Sequence, residues 1–168
     1  KLVVAGAGMV ARRLVEALVE RGATDTWDID VYGEESRPPY DRVALTSFFT
    51  VPDPDDLLLG DQDLWHTPGV RLHRNARVTQ IDREAKTVSV LGREVAYDEL
   101  VLATGSYATV PPVDGSDLPG CFVYRTVDDV AELRAWVNDR TRQLGRPLHG
   151  AVIGGGLLGL EAAGALRE

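Results

Sequence analysis

The tightest constraint on this chain is a glycine turn set directly behind a short apolar run. Leu2 to Ala5 (LVVA) reads as a buried parallel strand, and Gly6-Ala7-Gly8-Met9-Val10-Ala11 follows it without a break. From Met9 to Arg21 the apolar residues recur with helical spacing, with Val10, Leu14, Ala17 and Leu18 on one face, and Gly22 is a natural stop. In the pattern G-x-G-x-x-A, Gly6 permits the tight turn, Gly8 lets the backbone approach a pyrophosphate, and Ala11 lets helix and strand pack closely. A pyrophosphate so placed sits on the helix N-terminus, where unpaired N–H groups and the dipole favour negative charge. Six residues of pattern alone are weak; the flanking strand and helix are the context that gives them meaning.

A turn of the same kind recurs near the other end. His149 to Ile153 is expected as a strand, followed by Gly154-Gly155-Gly156-Leu157-Leu158-Gly159, a complete G-x-G-x-x-G. The plain alternative is a glycine-rich loop closing an ordinary βα unit. Three glycines on the three required places favour dinucleotide binding. The residue that would discriminate NAD from NADP is expected about 20 residues further on, past Glu168. The chain is therefore expected to be truncated there, and to lack a few residues before Lys1, where no initiator Met stands.

A dinucleotide site also wants a carboxylate at the end of the second strand, to accept hydrogen bonds from a ribose. Asp28 to Tyr32 (DIDVY) reads as that strand, and Glu34 and Glu35 follow it. Glu34, nearer the strand end, is favoured; the alternative is that both are solvated loop carboxylates.

The rest of the chain divides by texture. Gly33 to Arg42 reads as loop, Val43 to Phe49 as a short helix, and Pro52 to Trp65 as acidic loop with helical turns. From Val70 the short segments VRLH, ARVTQIDR, TVSVLG and REVAYD alternate between turns, as in a small antiparallel meander. Glu99 to Ala103 is another continuous apolar strand, followed by Thr104 and Gly105. A Pro- and Gly-rich linker then leads to an amphipathic helix over Val127 to Leu144.

Composition narrows the partners. The 168 residues suffice for one domain and part of a second, and 44% apolar with 26% charged residues suits a globular chain. A net charge of −8 argues against nucleic acid and anionic membrane, which need a basic face. No apolar run approaches the roughly 20 residues of a membrane helix, and no signal peptide is expected before the first strand. A single cysteine, Cys121, excludes an internal disulfide and dithiol chemistry. It is expected as a half-buried apolar residue at a strand start, and the cytoplasm is the default compartment. His66, His73 and His149 share no metal-ligand spacing, so no metal site is expected. Trp65 and His66 read as a loop anchor.

Two such turns in one chain, separated by a meander and the turn Ala103-Thr104-Gly105, resemble the two-dinucleotide flavoprotein reductases. The resemblance implies an α/β fold: a Rossmann-like FAD-binding domain with a parallel sheet and a small antiparallel β-meander, and the start of an inserted NAD(P)-binding Rossmann-like domain. The corresponding boundaries are 1–110 for the first FAD-binding segment, 111–148 for linker and helix, and 149–168 for the start of the second domain. Tyr97 to Gly105 (YDELVLATG) looks like the family's second flavin-side motif.

A narrower similarity is carried by RPPYDRVALTSFF (37–49), LVLATGSYATVPPVDGSDLPGCFVYRTVDD (100–129) and IGGGLLGLEAAGALR (153–167). These resemble the N-terminal part of the large subunit of NAD(P)H-dependent assimilatory nitrite reductases. Related ferredoxin and rubredoxin reductases continue P-Y-D-R as P-P-L-S-K. Here Ser47 occupies the place of that lysine, which favours the nitrite reductase branch and leaves lysine-assisted flavin chemistry without its residue. The resemblance implies that Arg42 contacts the flavin side or its phosphate, that Val78 touches the adenine through its backbone, and that Arg125 and Thr126 approach the isoalloxazine. It places Glu161 close to the nicotinamide. The plain readings stay open: a surface ion pair for Arg42, core for Val78, a linker anchor for Arg125, and a first-turn helix carboxylate for Glu161.

The implied activity is that of an FAD-dependent NAD(P)H oxidoreductase, passing a hydride from NAD(P)H to FAD and electrons onward for nitrite reduction to ammonia. FAD and NAD(P)H are the implied cofactors. An iron–sulfur cluster and sirohaem are expected only downstream, and residues 1–168 alone are expected to be inactive. Redox centres are the expected partners, with a homodimer and a small subunit both open. The alternatives are a stand-alone ferredoxin or rubredoxin reductase, and a nucleotide-binding module without turnover.

Overall fold

The computed structural model describes residues 1–49 and 53–166. Of the segments read from sequence, Pro52, Arg167 and Glu168 lie outside the described residues. The chain divides into two compact units, Lys1–Asp41 with Leu58–Ser106, and Arg42–Leu57 with Tyr107–Glu168.

In the first unit, β1 (Leu2–Ala5) is the centre of a parallel sheet. It pairs with β2 (Ile29–Tyr32) in the register Leu2↔Ile29, and with β7 (Glu99–Leu102) in the register Leu2↔Glu99. The other edge is β3 (Val70–His73), giving the order β3-β2-β1-β7. All four residues of β1 are buried, because both faces of this sheet are covered. On one face Leu2 and Val4 join Ile29, Val31 and Val70, and pack against Ala11 and Val15 of α1 (Met9–Glu20). On the other, Val3 and Tyr32 meet Ala76, Val88 and Val90. Those last two valines belong to an antiparallel meander, β4 (Val78–Asp82), β5 (Thr87–Val90) and β6 (Arg93–Ala96). Each fully buried valine stabilises the fold by about 1.5–3 kcal/mol, so the apolar run of β1 is explained by two cores sharing one strand.

Two readings from sequence need correction in this unit. VRLH is not a meander strand but the edge of the parallel sheet. Only one of its faces is well covered, so its burial falls off along the strand and the segment alternates. Val10 does not face the core: it is 72% exposed, and the buried side of α1 is centred on Ala11 and Val15, with Leu14, Leu18 and Val19 flanking.

Arg12, beside that core, is also buried. Its Nε donates to the Leu59 carbonyl at 2.8 Å, and Nη1 reaches Glu16 Oε1 at 3.1 Å. Asp30 is 2% exposed in β2. It takes Arg71 Nε and His73 Nε2 at 2.8 Å each and Lys1 Nζ at 3.0 Å, while the His73 ring stacks on Tyr32. Burial raises the pKa of Asp30, but hydrogen bonds from Arg71, His73 and Lys1 outweigh it and hold the carboxyl well below the usual range.

The second unit is built on α2 (Val127–Leu144). Its start is fixed by a capping box: Asp129 N–H donates to Thr126 Oγ1 at 3.1 Å, and Thr126 N–H donates to Asp129 Oδ2 at 2.7 Å. Gly145 ends it in the left-handed region. Thr126→Ala is expected to lower stability by about 1 kcal/mol, read as a lower urea midpoint with unchanged slope. The final helix, α3 (Leu157–Ala165), follows the second glycine turn. His149–Ile153 is not a strand as expected: no segment pairs with it among the described residues, and Ile153 is 84% exposed. Cys121, expected half-buried at a strand start, is exposed in a loop, with Sγ directed at the Gly115 carbonyl at 3.4 Å.

Candidate functional site

The first glycine turn is fixed from both sides. Gly6 N–H donates to the Tyr32 carbonyl at 2.8 Å, which carries the turn straight on from the β1–β2 pairing. Gly6 has φ +110°, and a Cβ there would overlap the Ala103 carbonyl. That is a close approach between the first turn and the Ala103-Thr104-Gly105 turn, and only glycine permits it. Thr104 and Gly105 themselves are exposed.

Gly8 caps α1 with extended backbone and no side-chain hydrogen bond. The first bond of the helix is Arg12 N–H to the Gly8 carbonyl at 3.0 Å. The amides of Met9, Val10 and Ala11 therefore have no carbonyl within the helix to bond. A Cβ on Gly8 would meet nothing within 4 Å, so the space before those amides is open. Ala11, the third small position, is fully buried against the sheet. An uncapped helix end facing open space suits a diphosphate, and the residues present fit the dinucleotide that the pattern implies.

The carboxylates after β2 separate clearly. Glu35 Oε2 accepts a 2.8 Å hydrogen bond from the hydroxyl of buried Tyr40. Glu34 is exposed and faces Arg77 Nη1 at 3.6 Å. Val78 is half-buried and packs on the meander-side core.

The second turn, in the other unit, repeats the logic of the first. Gly154 has φ +127°, and a Cβ on Gly159 would overlap the Gly154 carbonyl. Gly156 caps α3 without a side-chain bond, and the helix begins with Leu160 N–H to the Gly156 carbonyl at 3.1 Å. Leu157 and Leu158 are 81% and 58% exposed on its first turn. Glu161 is exposed one turn into the helix.

The same unit gathers the 42–49 segment against residues 122–134. Arg42 Nη1 donates to the Arg125 carbonyl at 3.2 Å. Thr46 Oγ1 and the Tyr124 hydroxyl are 2.9 Å apart, and the Phe49 and Tyr124 rings stack at 6.1 Å. Arg134 Nη1 donates to the Phe48 carbonyl at 2.5 Å, with its guanidinium over the Phe48 ring. Ser47 Oγ bonds back to the Ala44 carbonyl at 2.7 Å. Burial raises the pKa of Tyr124 above its ordinary value; the Thr46 hydrogen bond opposes this, and the charge of Glu161 adds to it. The roles of Thr46, Tyr124 and Arg134 in this packing were not anticipated from sequence. Among the described residues no group of three or more His, Cys, Asp or Glu is placed to hold a metal ion, and no helix is long and apolar enough to cross a membrane.

A parallel sheet with a glycine turn and an uncapped helix, a meander on its other face, and a second glycine turn together define an α/β protein of the dinucleotide-binding kind. The chain matches the pyridine nucleotide-disulphide oxidoreductase family over residues 1–168, and it belongs to that family. It is 41% identical over 169 residues to the Nitrite reductase (NADH) large subunit of Escherichia coli (strain K12), covering all of this chain and 19% of that protein. It is 45% identical over 168 residues to the Nitrite reductase [NAD(P)H] large subunit of Klebsiella oxytoca, covering 99% of this chain and 17% of that one. The chain thus spans less than a fifth of the length of these two relatives. Among solved structures, a ferredoxin reductase from Rhodopseudomonas palustris superposes with a TM-score of 0.85 at 29% identity, over 99% of this chain and 39% of that one.

Proposed function

We propose that this chain forms the flavin-binding segment, and the opening of the nicotinamide-binding segment, of an NAD(P)H-dependent nitrite reductase. The observation that carries the reading is the occurrence in one chain of two uncapped helices, each opened by a glycine turn that excludes a side chain. The chain's similarity in sequence to nitrite reductase large subunits supports that branch.

In this reading the amides of Met9, Val10 and Ala11 bind the FAD pyrophosphate at Gly6 and Gly8. Glu34 accepts hydrogen bonds from the ribose, and Val78 borders the adenine. Glu34 is preferred to Glu35 because it lies nearer the end of β2 and is exposed, whereas Glu35 is half-buried beside Tyr40. Arg42, Ser47, Arg125 and Thr126 are assigned to the flavin side by resemblance, and Ala103, Thr104 and Gly105 to the second flavin motif. Gly154, Gly156, Leu157, Leu158 and Gly159 take the pyrophosphate of NAD(P)H, and Glu161 borders its nicotinamide. A flavin held by these residues would supply hydride acceptance from the nicotinamide and release of single electrons. The chain supplies binding, orientation and electrostatics, and no side chain is required to act as acid or base in that transfer. An iron–sulfur cluster and sirohaem belong to this reading as groups on other parts of the protein, with the cytoplasm as the compartment.

A second reading ends at a different acceptor. The Anthranilate 1,2-dioxygenase system ferredoxin--NAD(+) reductase component of Burkholderia cepacia is 37% identical over 99% of this chain, which supports transfer to a separate iron–sulfur protein. The test is anaerobic turnover by the full-length protein with NADH and nitrite. Ammonium formed at one per three NADH is expected. NADH oxidation that nitrite does not stimulate, but an added ferredoxin does, moves the assignment to the second reading.

A further inference from the structure

The rim of the first glycine turn contains a cation that the pattern does not call for. Gly33 is packed so closely on Ala7 that a Cβ there would overlap the Ala7 side chain. The residues that follow β2 therefore lie directly beside the turn. The same residues are laced to the strand entering the meander. Gly33 N–H donates to the His73 carbonyl at 2.9 Å, Ala76 N–H to the Gly33 carbonyl at 2.7 Å, and Asn75 N–H to the Glu35 carbonyl at 3.0 Å. Arg74 Nη1 adds a bond to the Ser36 carbonyl at 3.3 Å. Two segments tied by three backbone bonds hold the Cα positions of Glu34 and Arg77 in a fixed relation, within reach of an ion pair. In that frame Arg77 Nη1 stands 3.6 Å from Glu34 Oε2.

We infer that Arg77 is a positioning residue for the adenosine end of the dinucleotide, acting through Glu34. The inference rests on the proposed reading of this turn as the FAD site. A carboxylate offers about four lone-pair sites. An arginine on one oxygen leaves acceptors for two ribose hydroxyls, and it fixes the rotamer that presents them. It also answers an electrostatic problem. A ribose carboxylate lies close to a diphosphate in any such site, and the two repel; a guanidinium on the carboxylate cancels that repulsion at short range. Both side chains are mostly exposed, so the pair contributes little to folding. Its effect is confined to the ligand.

The experiment is FAD titration of the full-length apoprotein, followed by quenching of flavin fluorescence. Arg77→Gln is expected to weaken FAD about 10-fold and Arg77→Lys to restore most of the loss, with the urea midpoint unmoved. Glu34→Gln is expected to weaken FAD as well, and the double variant to bind no worse than Glu34→Gln alone. Wild-type affinity in Arg77→Gln, or losses that multiply in the double variant, overturns the inference. A wild-type apoprotein that takes up no FAD overturns instead the reading of the site on which it rests.

Discussion

Gly6→Val is expected to yield a chain that retains no flavin and loses more than about 3 kcal/mol of stability. Two costs combine. A β-branched residue held at positive φ is strained by roughly 1–3 kcal/mol. Its Cβ would also overlap the Ala103 carbonyl, the Ala103 carbonyl carbon and the Thr104 amide. Those atoms are backbone and cannot swing aside. Moving them breaks the 2.8 Å bond from Ala103 N–H to the Ala5 carbonyl and unzips the end of the β1–β7 pairing. Against the 5–15 kcal/mol of an ordinary domain the loss is large. Gly8→Ala is the control. Gly8 lies at φ −97° with nothing near its missing Cβ, so its stability should change by less than about 1 kcal/mol. On the proposed reading flavin affinity should nonetheless fall, because a methyl group would stand where the pyrophosphate is proposed to approach. Urea unfolding and flavin content, measured on both variants, separate the two effects. A Gly6→Val protein as stable as wild type would contradict the packing described here.

The second large effect is at Asp30. Asp30→Asn should lower stability by about 1–3 kcal/mol at neutral pH, since Arg71, His73 and Lys1 lose the charge they surround. The cost stays below that of a fully buried pair because Arg71 and Lys1 keep access to water. The pH dependence is the sharper signature. The folded-state pKa of Asp30 is depressed below its unfolded value near 3.8. Its contribution is therefore fully present above about pH 4. It is lost as the pH falls through the region below that value, where the folded protein must take up the proton. The difference in urea midpoint between wild type and Asp30→Asn should be constant from pH 7 to about 5 and shrink below pH 4. A difference that grows on acidification would contradict a folded-state pKa depressed at Asp30.

How much of this was legible from the residues depends on the range of each interaction. The glycine turns, α1, β1, β2, β7, α2 and most of the meander follow from local pattern, because period and glycine placement act within a few residues. VRLH misled because a half-covered edge strand of a parallel sheet alternates like a meander strand. His149–Ile153 is apolar enough for a strand, yet a strand needs a neighbour to pair with. The face of α1 was misphased at Val10, which belongs to the open first turn rather than to the packed face. Asp30 left a faint signal, a lone carboxylate in the otherwise apolar run IDVY. The packing around Arg42, Thr46 and Phe48 left none. Their partners Arg125, Tyr124 and Arg134 lie 83, 78 and 86 residues away, beyond any local pattern. The capping box could have been read, since Thr126 and Asp129 stand at its spacing.

On the proposed reading, this chain belongs to a flavoprotein reduced by a nicotinamide nucleotide. The most direct test of that reading is the visible spectrum of the full-length protein, recorded anaerobically during titration with NADH and then NADPH. Flavin bands present at the outset, bleaching at about one equivalent of the preferred nucleotide, are the predicted result. A protein without flavin absorbance after reconstitution with FAD, or with flavin that neither nucleotide bleaches, would contradict it.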